Sequence, residues 1–462
     1  MKNPRLKQRN GAAIDTALIE AFKTDFHGQA ILPGDDTYDT ARRIWNASID
    51  KHPGLIARCS GTADVIQAVK FARANDLLVA VRSGGHNVAG RALCDDGLVI
   101  DLSAMKGVFV DPQQRTVRVQ GGATLGDLDR ETHLYGLAVP AGVISRTGIG
   151  GLCLGGGVGW LVRKYGLTCD NLLSSEVVTA EGKLVTANAE TNADLFWGLR
   201  GGGGNFGIAT SFLFRAHPVS TVLGGLIIYP RKDAADVLRH YRSFMATAPE
   251  ELTAYAGLIS TPDGQPAVAV LPCYSGDLAE GERILKPLRS FGTPMVDAVQ
   301  PMPFPAMQSL LDGAFPDGTY NYWKSTFVKK LSDEALDVIV EHANRAESPL
   351  TGIVIEFYGG APGRIGHAET AFSQRQAEYN VGITAQWTNA AETEKHTRWT
   401  RGLWDALQPY SSGGYLLNFL DDENPDAIRG AFGDNYARLA KLKAKYDPTN
   451  FFSLNQNVKP AA

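Results

Sequence analysis

Glycine placement constrains this chain more than any other feature. Its 462 residues include 50 glycines, about 11% against a usual ~7%. Sixteen of the 50 fall between Gly142 and Gly207, one-seventh of the length. A flexible Gly/Ser linker would lack the Leu, Val, Ile and Trp residues that interleave this stretch. The glycines therefore belong to ordered backbone, and residues without a Cβ let chain pass close to chain, or to a flat or anionic ligand.

At roughly 100–200 residues per domain, this length suggests two to four domains. A hydrophobic fraction of 44% with 20% charged residues is an ordinary globular balance, and a net charge of -4 argues against an electrostatic nucleic-acid binder. The five cysteines (Cys59, Cys94, Cys153, Cys169, Cys273) are odd in number and scattered. That pattern favours neither a disulfide framework nor a cysteine zinc site. The histidines show no ligand spacing, so no metal is expected. No run of 18 apolar residues exists, so no membrane span is expected. The opening M-K-N-P-R-L-K-Q-R-N-G lacks a following apolar segment, which reads as no signal peptide and a cytoplasmic protein.

Apolar periodicity predicts a helix over 63–74 and strands over 77–82, 98–102, 116–120, 176–179 and 208–214, with a helix at 194–199. Beyond Pro218 the pattern changes to strands at 226–229, 267–271, 352–358 and 383–387 and longer helices such as 332–345. This order suits an antiparallel sheet covered by helices. A final helix is expected at 435–445.

Three glycine clusters carry chemistry. The first, Arg82-Ser83-Gly84-Gly85-His86-Asn87 with Gly90 beyond it, ends a strand. Its backbone N–H groups can form a nest for phosphates, and it equally fits a plain turn with a surface histidine. The second runs from Gly148 to Trp160 and also fits tight core packing. The third, Gly201 to Ile208, contains G-x-G-x-x-G at Gly202, Gly204 and Gly207. A dinucleotide fingerprint needs a strand before it and a helix after it. Here the order is reversed, so a Rossmann NAD site is rejected. Three nests in one half of the chain point to one extended, polyanionic cofactor.

The segments R-S-G-G-H (82–86), G-I-G-G-L-C-L-G-G-G-V-G-W (148–160), R-K-Y-G-L-T-C-D-N-L (163–172), D-L-F-W-G-L-R-G-G-G-G-N-F-G-I (194–208) and the terminal N-Y-A-R-L…K-Y-D-P-T-N-F-F (435–452) together resemble the berberine-bridge-enzyme-like flavoproteins of the vanillyl-alcohol-oxidase fold. The resemblance runs from about Tyr38 to Pro460. It implies an α+β architecture, with a two-subdomain FAD-binding domain over 1–218, a substrate domain over 219–419 with an antiparallel sheet covered by helices, and a segment over 420–462 returning to the first domain. It also implies FAD bonded covalently through His86, with Arg82, Ser83, Gly84, Gly85, Asn87, Gly90, Gly142, Val143, Thr147, Gly148, Gly151, Gly157, Gly207, Ile208, Asn455 and Asn457 around the cofactor. Many members carry a second tether, a cysteine where this chain has Ile144. A single histidyl tether is therefore expected, as in the 6-hydroxynicotine oxidase branch. Val143 falls at the family's oxygen-gating position, and its small side chain implies an oxidase using O2.

On the substrate side, the resemblance places a tyrosine base of the sugar oxidases where Phe419 stands in Leu416-Leu417-Asn418-Phe419. That tilts the reading toward oxidation of a small amine, alcohol or natural-product-like molecule, with one alternative an alcohol or carbohydrate oxidase or dehydrogenase using Tyr358 or Tyr415 as base, or a natural-product oxidative tailoring enzyme. A flavin-binding protein without turnover is the other. Glu356 and Tyr358 share a face by period-two spacing, as do Thr384 with Gln386 and Tyr322 with Lys324. Tyr358, Gln386, Glu356 and Tyr415 are the catalytic candidates, with Tyr358 and Gln386 expected to line the pocket. Asn418 is expected to be structural or flavin-facing.

Overall fold

The computed structural model describes residues 6–420 and 425–461. Residues 1–5, part of the N-terminal reading, and residues 421–424 of the C-terminal segment lie outside the described residues.

Three sheets organise the chain. The first has the order Gln29–Ile31, Leu55–Arg58, Leu98–Asp101, Val79–Arg82. Its last three strands are parallel, and the first is antiparallel to its neighbour. The parallel strands are short apolar runs, as expected where a sheet is covered on both faces. The helix Thr62–Ala74 buries Val65, Ala68, Val69 and Ala72 against this sheet. The second sheet is antiparallel, in the order Val108–Asp111, Thr116–Gln120, Ile208–Arg215, Leu172–Val178, Leu184–Asn188. The helix Ala193–Leu199 precedes the third glycine cluster and the strand Ile208–Arg215 follows it, the reverse of a Rossmann unit.

The third sheet has nine antiparallel strands, with Pro266–Tyr274, Leu252–Ser260, Gly352–Phe357, Tyr379–Trp387 and Tyr320–Val328 side by side in that order. Strand alternation gives it two different faces. Leu252, Ala254, Ala256, Ile353, Ile355, Val381 and Ile383 pack under the helices Ala234–Met245, Asp333–Ala343 and Thr393–Leu407. Tyr255, Val354, Glu356 and Thr384 occupy the opposite face and look into a cavity shared with the first two sheets. The architecture is the α+β one expected, with an antiparallel sheet covered by helices.

The C-terminal helix Tyr436–Tyr446 returns to the N-terminal half, placing Leu439 and Leu442 in one core with Trp197, Leu199 and Phe206. Asn46, which heads a formal N-A-S sequon, is 1% exposed and donates to the carbonyls of Val88 and Asn321 at 2.8 and 3.0 Å. It ties the two halves together and is closed to glycosylation. Among the described residues, no helix is long and apolar enough to cross a membrane.

Candidate functional site

A single cavity draws lining from all three glycine clusters, the C-terminal segment and the nine-stranded sheet. The loop after strand Val79–Arg82 contributes Ser83 to Asn87, and the 142–151 segment contributes Gly142, Val143, Ile144, Thr147, Gly148 and Gly151. The third cluster supplies Gly203, Gly204, Gly207 and Ile208, and the C-terminal segment supplies Asn455.

The first two clusters meet backbone to backbone. A Cβ on Gly84 would lie 2.4 Å from the Gly148 nitrogen, and one on Gly148 would lie 2.2 Å from the Gly84 nitrogen. Neither position tolerates a side chain, so the close approach requires glycine at both. Gly151 and Gly204 behave differently: a Cβ there would meet no atom within 4 Å. These two line the cavity and keep it open where any side chain would fill it.

Polar atoms of the lining lack protein partners. His86 Nε2, Asn418 Oδ1 and Asn455 Oδ1 are buried with no hydrogen-bond partner. Orphaned buried polar groups are costly, and a cavity edged by several of them suits a polar ligand. Burial, aided by the Arg146 charge, lowers the His86 pKa to about 4, which leaves the imidazole neutral at ordinary pH. Its ring stacks on Trp45, with centroids 4.7 Å apart and planes 13° apart. These orphaned atoms and the glycine cradle fit a large flat dinucleotide such as FAD.

The opposite wall is chemically distinct. Trp323 sits within 5.3 Å of Phe419 and 5.4 Å of Phe315, centroid to centroid, and all three line the cavity with Leu311 and Val354. Within this apolar surface lies one carboxyl group, that of Glu356. Its Oε2 accepts the Tyr358 hydroxyl at 2.7 Å and the Asn380 amide at 2.8 Å. Burial raises its pKa above the ordinary glutamate value, and the two hydrogen bonds partly offset that rise.

Several sequence expectations are corrected in placement. Tyr358 shares the face of Glu356, but its ring turns onto Phe327 at 5.5 Å and it stands behind the carboxylate, outside the lining. Gln386 is 0% exposed, and its Nε2 donates to Thr319 Oγ1 at 2.8 Å, one pleat beyond the end of the cavity. Tyr415 packs on Trp404 and Gly430. Tyr322 and Lys324 lie on the helix-covered face, against Arg401 and Trp404. On the cofactor side, the Arg82 guanidinium turns away to the Ala41 carbonyl at 2.5 Å. Gly90 and Gly157 accommodate Ile49 and Thr168 rather than the cavity, and Asn457 lies outside the lining.

Tyr255 was not anticipated. It lines the cavity, its hydroxyl is buried without a partner, and it stands directly across the strand pair from Glu356. Its strand reads as an apolar run, so only the period-two alternation from a buried neighbour could have singled it out. Arg91 and Trp323 also line the cavity unforeseen.

Comparison with known proteins agrees with this geometry. Residues 53–188 match the FAD binding domain family, and residues 416–459 match the berberine and berberine-like family. The chain is 33% identical over 451 residues to an FAD-linked oxidoreductase of Dictyostelium discoideum, covering 96% of this chain and 97% of the relative. It is 30% identical over 452 residues to (R)-6-hydroxynicotine oxidase of Paenarthrobacter nicotinovorans, covering 95% and 98%. The crystal structure of 6-hydroxy-D-nicotine oxidase from Arthrobacter nicotinovorans superposes with a TM-score of 0.87 at 30% identity, covering 95% of this chain and 99% of that one.

Proposed function

Because the chain belongs to the berberine-like family of FAD-linked oxidoreductases, we propose that it is an oxidase of a small amine or alcohol, with FAD tethered through His86 alone and dioxygen as the final acceptor, giving hydrogen peroxide. The observation that carries the substrate side is the Glu356 carboxyl, the one acidic group among the lining residues of a largely aromatic and apolar wall. Bound FAD supplies the hydride acceptor.

The chain's own residues do the rest. Ser83 to Asn87, Gly148, Gly151, Gly203, Gly204 and Gly207 would hold the cofactor, with backbone N–H groups suited to its phosphates. The neutral His86 imidazole carries the lone pair that a tether needs. Ile144 lines the same cavity and offers no thiol for a second one. Trp323, Phe315 and Phe419 exclude water and pack the body of the substrate. With its Oε2 held by Tyr358 and Asn380, Glu356 offers its other carboxylate oxygen, Oε1, to receive a proton from substrate N–H or O–H, or to pair with a substrate ammonium. Tyr358 is a weak candidate for the base, because its hydroxyl already donates to Glu356 and burial raises its pKa well above the ordinary tyrosine value.

The purified yellow protein, reduced anaerobically and then exposed to air, should regain its visible flavin absorbance within minutes and release one peroxide per flavin. A flavin that stays reduced in air would overturn the oxidase reading. Acid precipitation followed by mass analysis of the His86 peptide should show added FAD, and freely extracted FAD would overturn the tether.

A further inference from the structure

His86 lines the cavity, yet no protein group hydrogen-bonds its buried Nε2. An imidazole that must present one nitrogen along one direction is usually oriented by the bond its other nitrogen makes. Here a different contact is at hand. Trp45, 3% exposed, lies face to face with the His86 ring at 4.7 Å and 13°.

Trp45 is itself held from several sides. Its Nε1 donates to the Phe315 carbonyl at 3.1 Å, and its own carbonyl accepts the Gly318 amide at 3.2 Å. Its ring meets Trp323 edge-on at 5.1 Å and 71°. The next residue, Asn46, is anchored to Val88 and Asn321. The indole therefore belongs to a rigid strap between the FAD loop and the substrate wall, and one of its faces is committed to His86.

We propose that Trp45 is the positioning residue for flavin attachment, its indole face fixing the His86 ring in the orientation from which the imidazole bonds the flavin methyl carbon. This rests on the His86 tether proposed above. In that bond formation an imidazole N–H and one methyl C–H are replaced by a C–N bond. The two electrons and two protons released pass to the flavin and then to dioxygen, which leaves as hydrogen peroxide. Trp45 takes no part in the electron balance. It restricts the ring to the reactive rotamer, and burial together with Arg146 keeps that ring neutral. Misorientation of a nucleophile by about an ångström costs on the order of 10²-fold in rate.

The test compares wild type, Trp45→Phe and Trp45→Leu, each purified, supplied with FAD and sampled over time. Covalent flavin is read after acid precipitation, and total flavin before it. In Trp45→Leu, attachment should slow by roughly 10- to 100-fold while dissociable FAD still fills the site. Trp45→Phe, which keeps an aromatic face but loses the hydrogen bond to Phe315, should recover most of the rate. Trp45→Met, an unbranched chain with no aromatic face, carries the same reading should the leucine variant fail to fold. If wild type is tethered and the leucine or methionine variant attaches FAD at the wild-type rate, the role of Trp45 is overturned and the tether stands. If Trp45→Phe is as slow as the aliphatic variants, stacking is overturned as the cause. Wild type that releases all its FAD on acid treatment overturns the tether and this inference with it.

Discussion

Tyr255 and Glu356 are direct antiparallel partners on the cavity face of the nine-stranded sheet, and Asn380 stands opposite Glu356 on its other side. The three form a polar row across adjacent strands, in which Asn380 donates to the carboxylate and the Tyr255 hydroxyl has no protein partner. A carboxyl so placed is held at Oε2 by Tyr358 behind it and Asn380 beside it, and lines the cavity.

Glu356→Gln removes the proton acceptor while keeping the shape and hydrogen-bonding capacity of the side chain. With an amine or alcohol substrate, kcat/KM should fall by about 10²- to 10⁴-fold, with flavin content unchanged. Burial raises the Glu356 pKa, so activity in wild type should rise with pH through that raised value as the carboxylate forms. The variant should lose this limb of the pH–rate profile. Equal rates of flavin reduction by substrate in the two proteins would remove Glu356 from the chemistry.

Tyr255→Phe tests the orphaned hydroxyl. A buried O–H with no protein partner stabilises nothing in the ligand-free protein, so thermal stability should hold or rise. A substrate that supplies the missing partner would lose about 1 kcal/mol on its removal, roughly a fivefold rise in KM with kcat little changed. Steady-state kinetics on the variant checks this split. A fall in kcat alone would point instead to a role in the chemical step.

Much of the cofactor side was legible because glycine clusters are local signals. Gly84, Gly148 and Gly151 do their work where they stand in the sequence, and all three line the cavity. The substrate side was legible only modulo register. Period two states that Glu356 and Tyr358 share a face, and that Tyr322 and Lys324 do, but which parity looks into the cavity depends on the neighbouring strand. For Tyr320–Val328 that parity belongs to Trp323, whose partner across the pair is Thr384. Gln386 has the correct parity and lies too far along its strand. Trp45 and Tyr255 stayed hidden for another reason. One sits in an irregular segment and the other in an apolar run, and each acquires meaning only through a contact distant in sequence.

Asp129, on the helix Leu125–His133, is buried with both carboxyl oxygens unpartnered, and no ion pair reaches it among the described residues. Burial raises its pKa well above the ordinary aspartate value. Between its unfolded pKa and that raised value the folded state holds more protons than the unfolded state, so its contribution to stability falls as pH rises through the window. Asp129→Asn removes the titration. The variant should be more stable than wild type at neutral pH by about 1–3 kcal/mol, and thermal melts should show the gap closing as pH falls toward 4. A gap that does not change with pH would show that the carboxyl is already paired.

Lys443, in the last turn of the C-terminal helix, and Asp447, the residue just past its end, form an ion pair at 2.7 Å with both side chains fully buried. The lysine also donates to the carbonyls of Asn205 and Phe452 at 2.8 and 2.9 Å. Asp447 accepts the amides of Phe451 and Phe452 at 2.7 and 2.9 Å. The pair therefore joins the returning helix to the third glycine cluster and to the strand of chain leading to Asn455, both of which edge the cavity. Lys443→Met fills the same volume but strands a buried carboxylate and two carbonyls, a loss of about 3–5 kcal/mol. The double variant Lys443→Met/Asp447→Asn should recover part of that loss, because the uncompensated charge goes with the second change. Chemical denaturation of the three proteins, with flavin retention followed in parallel, measures both steps. A single variant as stable as wild type would mean the helix is held by its apolar face alone.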